Sequence, residues 1–242
     1  MFTLFLQTLS SASGLSSRTI TQKELKSNVK DGEKVSATKL LRDIRFVVLD
    51  TETTGLRAYK GDEVLSLGAV VIENGRIQKD QTFYELVNPS RTVPKKITKL
   101  TGITEEMVQD KPDLTTVLND FVSWADHSVL VGHVLNFDLT FINKHLLAHC
   151  GTKLRHSYID TYKMAKCIFP CLRSYSLEDL CAYLGITCAK RHHALNDAIS
   201  AARLFEVFLA MLEREGLETY KDLESFFRYH QLFSPTLAPL NN

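Results

Sequence analysis

The chain has 242 residues, of which 44% are hydrophobic and 24% charged, and its formal net charge is +1. These values are ordinary for a globular protein and exclude collagen-like, low-complexity and strongly basic classes of chain. The five cysteines are odd in number and form no C-x-x-C pair, so we expect reduced thiols rather than disulfides or a zinc site. No apolar run reaches the ~18 residues of a membrane-spanning helix, and the serine-rich start lacks the basic region of a secretory signal. We therefore predict a cytoplasmic protein that does not engage a membrane.

Composition divides the chain into three predicted parts. Residues 1–44 are rich in serine, threonine and lysine, which predicts a partly flexible N-terminal extension. Residues 45–213 alternate strand-like and helix-like patterns and form the predicted main domain. Residues 214–242 open with an apolar and aromatic stripe, which predicts a C-terminal helical tail. This tail could pack on its own domain, as such stripes more often do, or dock on a partner.

The main domain begins with a strand meander. The apolar run before Asp50 predicts a first strand over 45–50, and 63–73 predicts a second. Asn74-Gly75 between two such runs is a strong type I′ hairpin signal, so 76–87 should fold back antiparallel to the second strand.

Strands and helices then alternate. Residues 128–132 predict one more buried strand, and helical spacing predicts helices over 94–100, 114–125, 137–150, 160–168, 176–184 and 194–213. A meander followed by this alternation predicts an α/β fold, with a mixed sheet that carries helices on its faces.

Two acidic residues stand where the first predicted strand ends. Asp50 and Glu52 occupy positions i and i+2, so their side chains project from the same face of a strand. Adjacent like charges at a buried strand repel each other, and a divalent cation such as Mg²⁺ or Mn²⁺ would relieve that repulsion. A strand that runs into a solvated turn is an equally good interpretation of these residues alone.

Two further acids lie in the first turns of predicted helices. Asp138 is well explained as an ordinary acid near a helix N-terminus. Asp197 borders an apolar face of small residues, where an unpaired carboxylate would cost several kcal/mol, and we favour a metal ligand there. His192 and His193 precede it, and a histidine with its usual pKa near ~6.5 can serve as a general base at neutral pH.

Three segments of the chain together resemble the exonuclease motifs of the DEDDh superfamily, in particular those of the epsilon proofreading subunit of bacterial DNA polymerase III and its stand-alone relatives. The three segments, in chain order, are Asp50-Thr51-Glu52-Thr53-Thr54-Gly55-Leu56, Asn136-Phe137-Asp138 and His192-x-Ala194-Leu195-x-Asp197-Ala198. Each segment alone is a weak signal, but three in order with fitting strand and helix context are strong.

The resemblance implies an RNase H-like α/β fold, with a mixed five-stranded sheet and helices on both faces, and a 3′→5′ exonuclease. Such an enzyme hydrolyses phosphodiester bonds at a free 3′ end, here expected on single-stranded DNA, and releases nucleoside 5′-monophosphates. By motif, four acids would hold two Mg²⁺ or Mn²⁺ ions: Asp50, Glu52, Asp138 and Asp197. His192, five residues before the last acid, would be the catalytic general base.

The resemblance also implies a nucleotide-binding set. The turn after the first motif, with Thr53, Gly55 and Leu56, would hold the 3′-terminal nucleotide through backbone N–H groups and an apolar wedge. His133, Asn136 and Phe137 would line the same site. The chain departs from its relatives where it carries His133-Val134 instead of the frequent His-Asn, and Thr101-Gly102-Ile103 instead of His-Gly-Ile.

Several alternatives stay open at the level of sequence. The partner is expected to be a nucleic acid with a free 3′ end, but DNA and RNA are not distinguished, because the 2′-OH is recognised by local geometry. The chain could act alone, as an RNA-end-processing enzyme, or as a proofreading subunit bound to a DNA polymerase. A non-catalytic nucleic-acid-binding module is the remaining alternative, and the presence of all five chemical residues argues against it.

Overall fold

The computed structural model describes residues 35–188 and 191–233, with side chains to residue 230, together with Leu25, Lys26 and Val29. The predicted N-terminal extension therefore lies mostly outside the described residues, as does the tail beyond residue 233. Among the described residues, no helix is both long enough and apolar enough to cross a membrane.

The sheet has five strands in the order β3-β2-β1-β4-β5. Its strands are β1 (Phe46–Thr53), β2 (Val64–Glu73), β3 (Arg76–Leu86), β4 (Val129–Gly132) and β5 (Tyr158–Asp160). The first three form an antiparallel meander, whereas β4 runs parallel to β1 and β5 runs parallel to β4. Asn74 and Gly75 both have positive φ, 53° and 66°, as a type I′ turn requires. The predicted mixed α/β sheet is confirmed.

Helices connect and cover the strands. In chain order they are α1 (Lys95–Thr101), α2 (Glu105–Val108), α3 (Leu114–Trp124), α4 (Asn136–Cys150), α5 (Thr161–Ile168), α6 (Leu177–Tyr183), α7 (Ala194–Arg214) and α8 (Tyr220–Phe233). Among the described residues, four helices begin with a side-chain cap, in which Asp113, Asp160, Ser176 or Thr219 accepts a hydrogen bond from a backbone N–H of the first turn.

Strand β1 lies at the centre of two apolar cores, one on each face of the sheet. Phe46 and Val48 are buried in the core that contains α7, while Val47 and Leu49 are buried in the core that contains α3 and α4. Because side chains alternate along a strand, Asp50 lies on the same face of β1 as Phe46 and Val48, which is the face that α7 covers. The acidic end of β1 is thus directed at the start of that helix.

The structure extends two of the sequence-based expectations. Strand β1 continues to Thr53 instead of ending near Asp50, because its ladder with β2 persists past a bulge after Glu52. Strand β5 has only three residues, too short for a periodicity to reveal, and the predicted elements did not include its range.

The segments on either side of the predicted main domain pack on its core. Leu41 and Ile44, before β1, and Leu223 and Phe227 of α8 are all buried in the core that contains α7. Helix α8 therefore directs its apolar stripe at the sheet domain.

Candidate active site

The pairing of β1 with β2 leaves space on the sheet for the first turn of α7. Asp50 lies opposite Gly68 in the antiparallel ladder, so both positions face α7. A Cβ atom on Gly68 would lie 2.2 Å from the backbone N of Leu195 and 2.4 Å from the carbonyl carbon of Ala194. The absence of a side chain at Gly68 lets the backbone of α7 rest on the sheet directly beside Asp50.

The first turn of α7 and the loop before it carry two of the predicted site residues. Asp197 is 4% exposed, and its Oδ2 accepts a hydrogen bond of 2.9 Å from the backbone N–H of His192. His192 has a φ of 60°, a left-handed conformation that is uncommon outside glycine and is enriched at functional sites. Ligand atoms of Glu52, His192 and Asp197 all lie within 4.8 Å of one another.

The two histidines before α7 have different surroundings. The imidazole of His193 stacks on the ring of Tyr84 with a centroid distance of 4.6 Å and an angle of 18°. Tyr84 lies opposite Gly68 on the neighbouring strand β3, so the stack anchors His193 to the sheet. His192 is the histidine that faces the acidic cluster.

Asp138 reaches the site from the start of α4. It is 3% exposed, and its Oδ1 accepts hydrogen bonds from the backbone N of Thr51 at 2.9 Å and from Thr51 Oγ1 at 2.6 Å. Because Thr51 lies between Asp50 and Glu52, these two bonds fix Asp138 against the acidic end of β1.

The electrostatics of the four carboxyl groups indicate that they share one pocket. Burial raises the pKa of Asp50 well above its usual value, and the nearby Asp138, Asp197 and Glu52 raise it further. Burial likewise raises the pKa of Glu52 to about 7, with Asp197 and Asp138 adding to the shift. The pKa of Asp138 is also raised to about 7, mainly by burial, and burial raises the pKa of Asp197. Burial and mutual repulsion thus disfavour the ionised forms of these groups.

A hard divalent cation fits this donor set. Asp197 Oδ1 is buried and accepts no hydrogen bond from the described residues, and such an unpartnered oxygen is costly unless a cation approaches it. The nearest described cation is Arg191, whose Nη1 lies 3.6 Å from Asp197 Oδ1 and whose Nε lies 3.4 Å from Glu178. Carboxylate oxygens are the ligands that Mg²⁺ and Mn²⁺ prefer.

The predicted nucleotide-binding turn follows β1 directly. Thr53 Oγ1 donates to the carbonyl of Gly55 at 2.6 Å, which closes the turn on itself. A Cβ on Gly55 would lie 2.4 Å from a carboxylate oxygen of Asp62, so a side chain there would require the Asp62 carboxylate to move. Leu56 is 80% exposed beside the acidic end of the strand, as an apolar wedge for a base requires.

Of the three residues predicted to line the site near α4, Asn136 is exposed at the helix start and Phe137 packs on Phe141 with ring centroids 5.0 Å apart. In His133, Nε2 donates to the carbonyl of Tyr175 at 2.9 Å and Nδ1 lies 3.0 Å from Thr161 Oγ1. Burial lowers the pKa of His133 to about 4. Both ring nitrogens thus have partners within the protein, which hold the loop before α4 in place, and the nucleotide contact of His133 stays a prediction.

Four residues of the site have roles that were not predicted from the sequence. Gly68 could have been noticed, since a glycine inside a strand often marks a close backbone approach. Thr51 lies within the first motif, and Asp160 accepts hydrogen bonds from the backbone N of Val134 and of Tyr162, both at 3.0 Å. The sequence suggests Arg191 only as a basic residue that could meet phosphates, and its pairing with Asp197 follows a left-handed turn at His192 that no pattern predicts.

Comparison with known proteins agrees with this geometry. A family model described as Exonuclease (RNase T) matches residues 47–205, more than half of the chain. The DNA polymerase III subunit epsilon of Aquifex aeolicus is 38% identical over 188 residues, which are 76% of this chain and 90% of that protein. The PolC-type DNA polymerase III of Thermotoga maritima is 37% identical over 182 residues, 75% of this chain and 13% of that protein. The chain thus spans about an eighth of the length of the PolC-type relatives that it matches.

Among solved structures, the nuclease domain of 3′hExo, described as a DEDDh family member bound to rAMP, superposes with a TM-score of 0.63. The match has 20% sequence identity and covers 71% of this chain and 94% of that one, so it shows a common fold. The sequence relatives show more than the fold, because they are above 30% identical and the Aquifex protein is covered almost completely. The chain therefore belongs to the exonuclease family whose model it matches, and it is homologous to the epsilon subunits and PolC-type enzymes of DNA polymerase III.

Proposed function

We propose that the chain is a metal-dependent 3′→5′ exonuclease that removes nucleoside 5′-monophosphates from the 3′ end of single-stranded DNA. The observation that carries the proposal is the convergence of four buried or partly buried acids from β1, α4 and α7, with His192 beside them. Their mutually raised pKa values make the pocket unfavourable as a purely structural arrangement. A site of this kind is better explained by the cations it would bind.

The residues that would hold the cations are Asp50, Glu52, Asp138 and Asp197. When bound, two divalent ions would neutralise these acids and polarise the phosphate that is attacked. Thr51 would keep Asp138 in place through its two hydrogen bonds, and the backbone N–H of His192 would keep Asp197 in place. The protein thus fixes the donors before any substrate arrives, which is the kind of preorganisation that catalysis needs.

His192 would accept the proton of the attacking water. Its side chain lies among Glu52 and Asp197, whereas His193 is held by Tyr84. The turn from Thr53 to Leu56 would hold the terminal nucleotide, with the exposed Leu56 beneath its base. Loss of a positioned general base typically slows a reaction by about 10²–10⁴-fold.

The test is release of mononucleotides from a single strand of DNA labelled at its 3′ end. We expect release in Mg²⁺ or Mn²⁺, none in EDTA, and none from Asp50→Asn or Asp197→Asn in any metal. A strand blocked at its 3′ end should resist, while one blocked at its 5′ end should be degraded. Activity that survives Asp50→Asn would refute the proposal.

The two histidines provide a matched pair for the general base. We expect His192→Gln to lose ~10²-fold or more in kcat, and His193→Gln to keep most of kcat while losing stability from the broken stack with Tyr84. The opposite pattern would assign the base to His193. A metal titration of both variants should show unchanged metal affinity for His193→Gln.

Two further roles share this chemistry. The relatives include an epsilon subunit and PolC-type enzymes of DNA polymerase III, which favours a proofreading role on a polymerase, and co-purification with a polymerase would support it. The 3′hExo structure is described with rAMP bound, so an RNA substrate is the second candidate. Matched DNA and RNA strands assayed side by side would separate the two, and a cytoplasmic location stays a prediction.

A further inference from the structure

A groove of about 660 Å³ lies along the outer side of α4, from the first turn of the helix onward. Asn136, Thr140 and Asn143 of α4 line it, together with Tyr59, Lys153 and Arg155. Asn136 and Asp138 both lie in the first turn of α4 but on different faces of the helix, so one end of the groove is within one helical turn of the acidic pocket. The other end leads along the helix for about two turns, or ~10 Å.

The far edge of the groove is basic because of how the segment after α4 is anchored. The backbone N of Leu154 donates to Asn143 Oδ1 at 2.9 Å, and Leu154 packs against the core that contains α4. Lys153 and Arg155 flank Leu154 in an extended segment, so both are exposed while Leu154 and His156 turn inward. Among the described residues neither cation has an ion-pair partner, and Glu224 is the one acid that the groove lining includes.

The near edge of the groove carries an aromatic ring. Tyr59 lies in the helical turn Ala58–Lys60, three residues after Leu56, and is 76% exposed. The ring of Tyr59 therefore shares the groove with Lys153 and Arg155, and its exposed face is available for stacking. Such an exposed ring is what a stacking platform for bases needs, because every base has a π-face and each stacked base adds substantially to affinity.

We propose that this groove binds the part of the single-stranded substrate that lies on the 5′ side of the nucleotide being removed. The proposal rests on the proposed exonuclease function and adds to it a binding groove for the single-stranded nucleic acid. Tyr59 stacks on a base close to the site, while Lys153 and Arg155 contact phosphates further along. Asn143 is the positioning residue that holds both cations at the groove edge through Leu154.

The first test removes the two cations. Lys153→Gln/Arg155→Gln should raise KM for a long oligonucleotide about tenfold and leave hydrolysis of a dinucleotide with the same 3′ end unchanged. The dependence of log affinity on log salt should become shallower by about 0.7 for each cation removed. The matched control is Arg76→Gln/Lys79→Gln, which removes one arginine and one lysine from β3 near the hairpin turn, at the opposite end of β1 from Asp50. This control should behave as wild type on both substrates.

The second test concerns the ring of Tyr59. Tyr59→Ala should weaken binding of the long strand about tenfold, and Tyr59→Phe should bind as wild type because it keeps the stacking face. Equal KM values of wild type and the groove variants on the long strand would overturn the groove while leaving the exonuclease proposal intact. If wild type itself releases no mononucleotides from either substrate, the proposed function fails instead, so the two failures are distinguishable.

Discussion

Gly68 and Asp50 lie opposite each other in the β1–β2 ladder, and the backbone of α7 occupies the space that a side chain at Gly68 would need. This relationship brings Asp197 and His192 to the acidic end of β1. We predict that Gly68→Ala displaces the start of α7, because its Cβ would overlap backbone atoms that cannot rotate away. We expect a loss of about 1–3 kcal/mol in the free energy of unfolding and a fall in kcat of ~10²-fold.

The measurement pairs thermal unfolding with mononucleotide release. Gly75→Asn is the control, since nothing lies within 4 Å of a Cβ there and asparagine tolerates the φ of 66°. That control should keep full activity. A Gly68→Ala variant that retains wild-type kcat would show that the approach of α7 to β2 does not position the site.

Local chemistry explains what the sequence predicted well. The Asn74-Gly75 turn, the alternation along β1 and the apolar spacing of α7 each depend on neighbouring residues, and the structure has them where expected. The residues alone did not group the four acids, because Asp138 was well explained as an ordinary acid near a helix N-terminus. The resemblance of the three motifs to a known family is what assigned them to one site.

Long-range packing explains what the sequence did not predict. The orientation of Arg191 toward Asp197 depends on a left-handed residue in a loop, which no periodicity encodes. The hydrogen bond of His133 to the carbonyl of Tyr175 joins residues 42 apart in the chain. From the sequence alone, a histidine near a motif looks like a substrate-binding residue, because its hydrogen-bond partners within the protein are not visible.

The metal-free protein should lose stability as pH rises. The folded-state pKa values of Glu52 and Asp138 are about 7, above their values of 4.5 and 3.8 in an unfolded chain. A group with a raised folded-state pKa stabilises the fold fully below its unfolded pKa, and that contribution is lost as pH rises through the folded pKa. We therefore expect the melting temperature in EDTA to fall between about pH 4 and pH 7.

Divalent metal should reverse this trend. At pH 8, above the pKa values of about 7 of Glu52 and Asp138, Mn²⁺ or Mg²⁺ should raise the melting temperature, whereas at pH 5 protons compete for these carboxylates and the rise should be small. Asp50→Asn should melt higher than wild type in EDTA at pH 8, because it removes one repelling charge, and should gain less from metal. A melting temperature that is independent of pH in EDTA would contradict the coupled burial of these acids.

Val134 should be a point where stability can be gained. Its φ of 60° places a β-branched residue in the left-handed region, which costs about 1–2 kcal/mol. Its backbone N–H donates to Asp160 Oδ1, so the conformation is held by the backbone, and the side chain is 46% exposed. We predict that Val134→Asn gains about 1 kcal/mol in denaturant unfolding. Val134→Ala, which still disfavours this φ, should gain less, and a destabilised Val134→Asn would refute the argument.

Arg191 should compete with metal for Asp197. Its Nη1 lies 3.6 Å from the buried Oδ1 of Asp197, and its charge opposes the raised pKa values of Asp50, Glu52 and Asp197. We predict that Arg191→Gln binds Mn²⁺ on the order of tenfold more tightly when no nucleic acid is present, because a positive charge next to the ligand oxygens is removed. Titration of Mn²⁺ followed by electron paramagnetic resonance measures this affinity directly, without reference to activity.

Two variants serve as controls. Arg191→Lys should bind Mn²⁺ about as tightly as wild type, and so should Arg203→Gln further along α7, where the guanidinium of Arg203 donates to the carbonyl of Thr187. Unchanged or weaker Mn²⁺ binding by Arg191→Gln would show instead that the guanidinium serves to hold the loop before α7 in place.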